Sequence, residues 1–83
     1  MRVTIKYFAS IREAIGQGFE SRETNAATLA ELRDELLAAS PAHAESLARG
    51  RAVRMAVNQV MQAESAALSE GCEVAFFPPV TGG

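Results

Sequence analysis

Residues 25–41, "NAATLAELRDELLAASP", carry the strongest helix signal in the chain. Thr28 and Glu31 stand three residues apart, the spacing of a capping box in which each side chain satisfies a free backbone amide of the first turn. Pro41 disfavours continuation of the helix beyond Ser40. The large apolar residues fall on one face at helical spacing: Leu29, Leu32, Leu36 and Leu37. The segment predicts a main helix with one face directed at a core.

The chain before this helix begins with a strand pattern. Residues 1–9 alternate between polar and apolar, with Val3, Ile5 and Tyr7 on one face. This period of two is typical of a half-buried strand. Phe8 is the exception, because it falls on the face that is otherwise polar.

A short helix is predicted next, at about residues 11–15. Ser10 precedes Glu13 by three residues, which indicates a second capping box, and Gly16 supplies a C-terminal stop. A polar strand over about residues 18–23 would then pair with the first strand, so the chain opens with a hairpin whose connection contains the short helix.

The segment that follows the main helix, residues 41–50, predicts another short helix. Pro41 would occupy its first position and Gly50 would end it. Its only large apolar residue is Leu47, and we expect His43 at the surface.

The last part of the chain reads as three strands. Residues 51–62, "RAVRMAVNQVMQ", predict two short strands that turn at Asn58 and Gln59. Residues 68–77, "LSEGCEVAFF", turn at Gly71 and close with a strand. That strand places Val74 and Phe76 on one face and Ala75 and Phe77 on the other.

The order strand, strand, helix, strands predicts an α+β domain of two layers. One main helix packs on one face of a mixed sheet, and the other face is left to solvent. This arrangement resembles the ubiquitin-like β-grasp fold. We predict a β-grasp domain over residues 1–77, followed by an extended tail over residues 78–83.

Length and composition exclude several classes of protein. The chain has 83 residues, a net charge of −2, one cysteine and one histidine. A single domain of this size leaves no room for a large catalytic cleft. We expect no membrane segment, no internal disulfide, no metal site and no nucleic-acid partner. The start of the chain does not have the pattern of a secretory signal, so a cytoplasmic protein is expected.

The final residues 76–83, "FFPPVTGG", raise a chemical possibility. Pro78 and Pro79 cannot donate to a strand ladder, so the tail leaves the sheet as a stiff spacer. Gly82 and Gly83 make the narrowest peptide available, able to thread a tunnel that any Cβ would block. Adenylation with ATP would convert the Gly83 carboxylate into an anhydride open to attack by a thiol, persulfide or amine. The alternative is a frayed terminus without function.

Three segments together carry a family resemblance: "KYFASIREAIG" at residues 6–16, "AVNQ" at 56–59 and "GCEVAFFPPVTGG" at 71–83. In order and spacing the chain resembles the MoaD/ThiS sulfur-carrier family, of the type that forms the small subunit of molybdopterin synthases. The resemblance implies that Gly83 is adenylated by an adenylyltransferase related to ubiquitin activators and is then converted to a thiocarboxylate. It further implies a large subunit in which the tail delivers sulfur to cyclic pyranopterin monophosphate, forming the molybdopterin dithiolene. No bound cofactor is implied, since ATP is used by the activating enzyme.

The resemblance also assigns roles to single residues. Gly83 would be the reactive, sulfur-bearing residue, and the arm inserted into the partner would be formed by Pro78, Pro79, Val80, Thr81 and Gly82. Phe8 and Phe77 would form a partner patch where the tail departs, because the fold makes the first and last strands parallel neighbours. Arg12 matches a basic position that contacts partners, although a solvated arginine is an equal interpretation.

Two alternatives to a synthase subunit stay open. The first is a carrier for another pathway, such as thiazole synthesis, or a ubiquitin-like protein modifier that presents the same activated glycine to a lysine. The second is a β-grasp interaction module without sulfur chemistry. Cys72 precedes the last strand without a nearby motif and is interpreted as structural.

Overall fold

The computed structural model describes residues 1–79, so the predictions for Val80, Thr81, Gly82 and Gly83 concern residues outside the described range. The elements, in chain order, are β1 (Arg2–Tyr7), α1 (Ala9–Ile15), β2 (Phe19–Glu23), α2 (Leu29–Leu37), α3 (Pro41–Ser46), β3 (Arg54–Val57), β4 (Val60–Met61) and β5 (Glu73–Phe77).

The five strands form one mixed sheet in the order β2-β1-β5-β3-β4. β1 and β5 are parallel, with Tyr7 opposite Phe76, and the other neighbouring pairs are antiparallel. The predicted parallel pairing of the first and last strands is therefore confirmed. It places the first and last strands side by side at the centre of the sheet, with the end of β5 beside Phe8.

The core lies between one face of this sheet and the apolar face of α2. Its largest fully buried side chains come from β1, α2, β5 and the residue after α3: Tyr7, Phe76, Ile5, Leu29, Leu32, Leu36, Leu47, Val3 and Val74. The rings of Tyr7 and Phe76 stack with centroids 6.2 Å apart. The predicted two-layer α+β architecture is confirmed, and only Leu37 of the predicted apolar helix face is merely half-buried.

The predicted capping box at the start of α2 is confirmed in part. Thr28 is the N-cap, and its hydroxyl oxygen accepts a hydrogen bond from the Glu31 amide at 3.3 Å. The Glu31 carboxylate, however, accepts from the amide of Ala27 at 3.4 Å and not from that of Thr28. The reciprocal bond thus reaches one residue further back than the motif predicts.

The second predicted capping box is wrong. α1 begins at Ala9, two residues earlier than predicted, and its N-cap is Phe8, which makes no side-chain cap. The amide of Phe8 still donates to the carbonyl of Phe76 in the β1–β5 ladder. The helix therefore follows the strand directly, without a connecting loop. Ala9 makes the abrupt change of direction at a φ of 52°, and Ser10 therefore lies inside the helix. The predicted stop at Gly16, which has a φ of 89°, is confirmed.

α3 begins at Pro41 as predicted but ends at Ser46 instead of Gly50. The chain leaves the helix there and buries Leu47 completely. The expectation that His43 lies at the surface is wrong. Its side chain is buried, and its ring meets Tyr7 edge to face at 5.7 Å. The sequence did not reveal this contact, because α3 has only one large apolar neighbour, Leu47, and no periodic pattern shows which of its faces is buried.

A buried arginine, which the sequence pattern did not single out, fastens the segment after α3. Arg33 projects from α2 and is almost fully buried. Its Nε donates to the Leu47 carbonyl at 2.7 Å, and its Nη2 donates to the Ala48 carbonyl at 3.0 Å. Burial lowers the pKa of Arg33 from its ordinary value. The guanidinium therefore replaces the backbone partners that this irregular segment lacks.

The predicted turn at Asn58 and Gln59 is confirmed between β3 and β4. Both residues have positive φ, 50° and 68°, as a two-residue type I′ hairpin requires. The Asn58 amide donates to the Glu73 carbonyl at 2.8 Å, and the Glu73 amide donates to Asn58 Oδ1 at 2.9 Å. These two bonds fasten the hairpin to the start of β5.

Candidate functional site

The tail begins where the central pair of strands ends. β5 stops at Phe77, and Pro78 has no amide hydrogen with which to extend the ladder. The last bond of the β1–β5 ladder runs from the Phe8 amide to the Phe76 carbonyl at 3.2 Å. Pro78 and Pro79 are half-buried at this end of the sheet. The root of the tail is thus attached to the folded domain beside Phe8.

The sheet face opposite α2, which we call the outer face, carries this root. The strand register places four of its side chains in one row across β1, β5, β3 and β4: Lys6, Ala75, Ala56 and Met61. No helix among residues 1–79 belongs to this side, because the three helices pack with the core face. The predicted solvent-facing side of the sheet is confirmed.

Two of the three predicted partner residues are brought together on the outer face. The ring of Phe8 is 46% exposed, although Phe8 is a large apolar residue. It meets the half-buried ring of Phe77 edge to face, with centroids 6.4 Å apart. Neighbouring aromatic side chains at the surface are typical of protein contact sites.

The third predicted partner residue, Arg12, lies on α1 one turn after Phe8, outside this pair. Its amide donates to the Phe8 carbonyl at 3.3 Å. Its side chain is exposed, and its Nε lies 3.2 Å from the position that a Cβ would occupy at Gly18. Within the described range Arg12 forms no ion pair, and its side chain lies on the β2 side of β1, away from Pro78 and Pro79.

The outer face also holds a shallow groove that the sequence did not reveal. Its floor is formed by Ala56 and Ala75, and Phe8, Phe77 and Met61 are among the residues around it. Pro78 and Pro79 line the same groove, which therefore continues from the sheet to the tail root. Met61 is 53% exposed and lies in the two-residue edge strand β4, an exposure that the sequence pattern did not indicate.

The charges at this groove neutralise each other. Lys6 Nζ lies 3.1 Å from Glu73 Oε1, and both side chains line the groove. An exposed pair of this kind adds little stability, about 0–1 kcal/mol. Because these two charges pair with each other, the rest of the groove presents a mainly apolar surface.

The polar residues in the core do not form a reactive site. Burial, with the Glu20 carboxylate second, raises the pKa of Tyr7 well above its ordinary value. Among the residues described, the Tyr7 hydroxyl has no partner in hydrogen-bond geometry. Cys72 is buried, in agreement with a structural role. Residues 1–79 contain no cluster of three side chains able to hold a metal ion and no helix long and apolar enough to cross a membrane.

Comparisons with known proteins agree with this arrangement. The sequence pattern of the ThiS family matches residues 5–83. The chain is 37% identical to the molybdopterin synthase sulfur carrier subunit of Escherichia coli (strain K12), over 98% of this chain and 99% of that protein. The structure superposes on SAMP1 from Haloferax volcanii with a TM-score of 0.81 and 27% identity, covering both chains completely.

A further solved structure is a complex of subunits 1 and 2 of the molybdopterin-converting factor from Helicobacter pylori. Its matching chain gives a TM-score of 0.72 and 25% identity, again over the full length of both chains. These similarities confirm the predicted ubiquitin-like β-grasp fold. They extend over the whole domain and, in sequence, over the Gly-Gly terminus. The chain is therefore a member of the MoaD/ThiS family of sulfur-carrier proteins.

Proposed function

We propose that the protein is the sulfur-carrying small subunit of a molybdopterin synthase. The observation that carries this proposal is the 37% identity, over nearly the full length of both chains, to a protein named as such a subunit. The similarity to SAMP1 covers as much of the chain at a lower identity of 27%. The terminal sequence of residues 78–83 supplies the chemical group that this role requires.

The reaction uses the Gly83 carboxylate. An adenylyltransferase related to ubiquitin activators joins it to AMP from ATP and releases pyrophosphate. A sulfur nucleophile then displaces AMP and leaves a thiocarboxylate. If the donor is a persulfide, a thiol reductant must cleave the acyl disulfide formed first. In the large subunit the sulfur passes to cyclic pyranopterin monophosphate and the carboxylate returns, so two transfers supply the two sulfurs of the dithiolene.

The folded domain contributes binding and orientation. Phe8 and Phe77 form an apolar contact at the tail root, and Arg12 offers a positive charge one helical turn away. A large subunit that covers this surface would receive a tail starting at Pro78. The Helicobacter pylori complex supports such a pairing of two subunits.

Mass spectrometry tests the central claim. The purified protein is incubated with ATP, the activating enzyme and a sulfur source. The proposal predicts the replacement of one oxygen by one sulfur at Gly83. The thiocarboxylated protein should then form the dithiolene product when it is mixed with the large subunit and the pyranopterin precursor. An unchanged mass would contradict the carrier role and leave an interaction module.

The second candidate is a ubiquitin-like protein modifier. The similarity to SAMP1 favours it, since that Haloferax volcanii protein is also described as small archaeal modifier protein 1. A modifier would join Gly83 to a lysine amine of another protein through an amide bond. Covalent conjugates that require both ATP and Gly83, without dithiolene formation, would favour this candidate over the synthase subunit. A carrier for thiazole synthesis would form the thiocarboxylate but would not yield the dithiolene product with the large subunit.

A further inference from the structure

We propose that Ala56 and Ala75 form the floor of a hole on the outer face that receives one bulky apolar side chain of the large subunit. The hole would help to decide which partner the carrier accepts. This inference rests on the proposed function, because the partner is the protein that receives the tail. The two alanines lie directly opposite each other on β3 and β5.

The exposure of the two alanines shows that the surface is concave there. Both belong to the uncovered face of the sheet, yet Ala56 is only 6% exposed and Ala75 only 9%. Their neighbours in the same row are Met61, opposite Ala56, and Lys6, opposite Ala75. These longer side chains rise on both sides, so the alanines lie at the bottom of a depression.

The chemistry of the hole selects an apolar occupant. The alanine methyl groups form its floor, and Phe8, Phe77 and Met61 contribute hydrocarbon around it. Lys6 and Glu73 already pair with each other at 3.1 Å, so this edge offers no unsatisfied charge to a charged side chain. A buried charge without a partner is costly, whereas an apolar side chain gains from leaving water.

The position of the hole indicates which protein supplies the apolar side chain. Pro78 and Pro79 line the same groove, so a protein that takes the tail must lie over the hole or at its edge. Glycines at the end of the tail have no side chains with which to distinguish one partner from another. The domain surface next to the tail root can therefore contribute to the discrimination between partners, together with the side chains of Val80 and Thr81.

The test is to fill the hole. Ala75→Leu adds an apolar side chain at the floor, and we expect it to weaken binding to the purified large subunit about tenfold or more. Ser21→Leu is the matched control, because Ser21 is exposed on the outer face of the edge strand β2, away from the groove. Its affinity should stay within about twofold of the wild type. Both dissociation constants are measured by calorimetric titration.

The outcomes separate the hole from the proposed function. If Ala75→Leu binds as tightly as the wild type while Phe77→Ala binds weakly, no side chain of the large subunit enters the hole. The proposal that Phe8 and Phe77 contact the large subunit is then unaffected. If the large subunit does not bind the wild-type carrier at all, the proposed partner itself is wrong. Should Ala75→Leu fail to fold, Ala56→Val decides instead, since it adds only two methyl groups to the same floor. If that folded variant binds with unchanged affinity, the proposal that the hole receives a side chain of the large subunit is wrong.

Discussion

The ring of Phe8 meets the ring of Phe77 at an interplanar angle of 87°, at the end of the two central strands from which the tail leaves. The two residues are far apart in sequence and are joined only by the parallel pairing of β1 with β5. The aromatic pair therefore lies beside Pro78 and Pro79, with which the tail begins. Under the proposed function, partner binding and delivery of the tail would be parts of one event.

Removing either aromatic ring should weaken partner binding without unfolding the protein. For Phe8→Ala and Phe77→Ala we expect losses above about 1 kcal/mol in binding free energy, because central aromatic residues dominate such contacts. Titration against the large subunit measures the effect. Phe19→Ala is the matched control, since Phe19 is 67% exposed on the outer face but does not line the groove. Equal affinities of both ring variants and the wild type would remove this pair from the docking surface.

Phe76→Ala should instead destabilise the fold. Phe76 is fully buried, faces α2 and stacks on Tyr7, so its loss leaves a cavity that costs about 3–5 kcal/mol. Urea denaturation measures the free energy of unfolding. Phe77→Ala, one residue along on the other face, should lose much less. Similar losses for the two variants would contradict the assignment of the strand's two faces.

Stability should fall at alkaline pH because of Tyr7. Its pKa is raised in the folded state, first by burial and then by the Glu20 carboxylate. The folded protein therefore keeps this proton at pH values above about 10, where the unfolded chain releases it. The free energy of unfolding must then decrease as the pH rises through that range. Denaturation of wild type and Tyr7→Phe between about pH 8 and about pH 11 checks this.

The Tyr7→Phe variant should lose part of this alkaline decrease. Near neutral pH its stability should stay within about 1 kcal/mol of the wild type, because the buried Tyr7 hydroxyl has no partner in strict hydrogen-bond geometry and interacts only with the Glu20 carboxylate. Identical pH profiles for the two proteins would show that Tyr7 is not the titrating group.

Changes at the terminus should abolish sulfur transfer while leaving the domain intact. Deletion of Gly83, or addition of a residue after it, removes or displaces the carboxylate that the proposal requires. Thermal melting and affinity for the large subunit should stay close to wild type, because the core lies within residues 1–77. Product formation from the pyranopterin precursor is the measurement. Wild-type turnover without Gly83 would contradict the carrier role.

Gly82→Val tests the requirement for a narrow tail. A β-branched side chain restricts the backbone and widens the peptide, so activation by the adenylyltransferase or delivery in the large subunit should fail. Thiocarboxylate formation and product formation, measured separately, locate the step that is blocked. Normal rates in both steps would show that neither the adenylyltransferase nor the large subunit requires glycine at this position.

Local sequence patterns were sufficient for much of the fold. The spacing of Leu29, Leu32 and Leu36 predicted α2, because a helix places such residues on one face whatever surrounds it. The turn at Asn58 and Gln59 was predicted from local sequence in the same way, and the structure shows that both residues have positive φ. The prediction for the tail also rests on local sequence, namely the Pro-Pro and Gly-Gly pairs within residues 78–83.

Only the tertiary structure decided how distant segments meet. The burial of His43 against Tyr7 depends on where α3 packs, and the start of α1 depends on a strand bond between Phe8 and Phe76. The depression above Ala56 and Ala75 exists because β3 and β5 pair in one particular register. By themselves these alanines are ordinary small residues in alternating strands. Their environment is set by long-range pairing, which local periodicity does not encode, whereas the prediction for the tail depends on residues 76–83 alone.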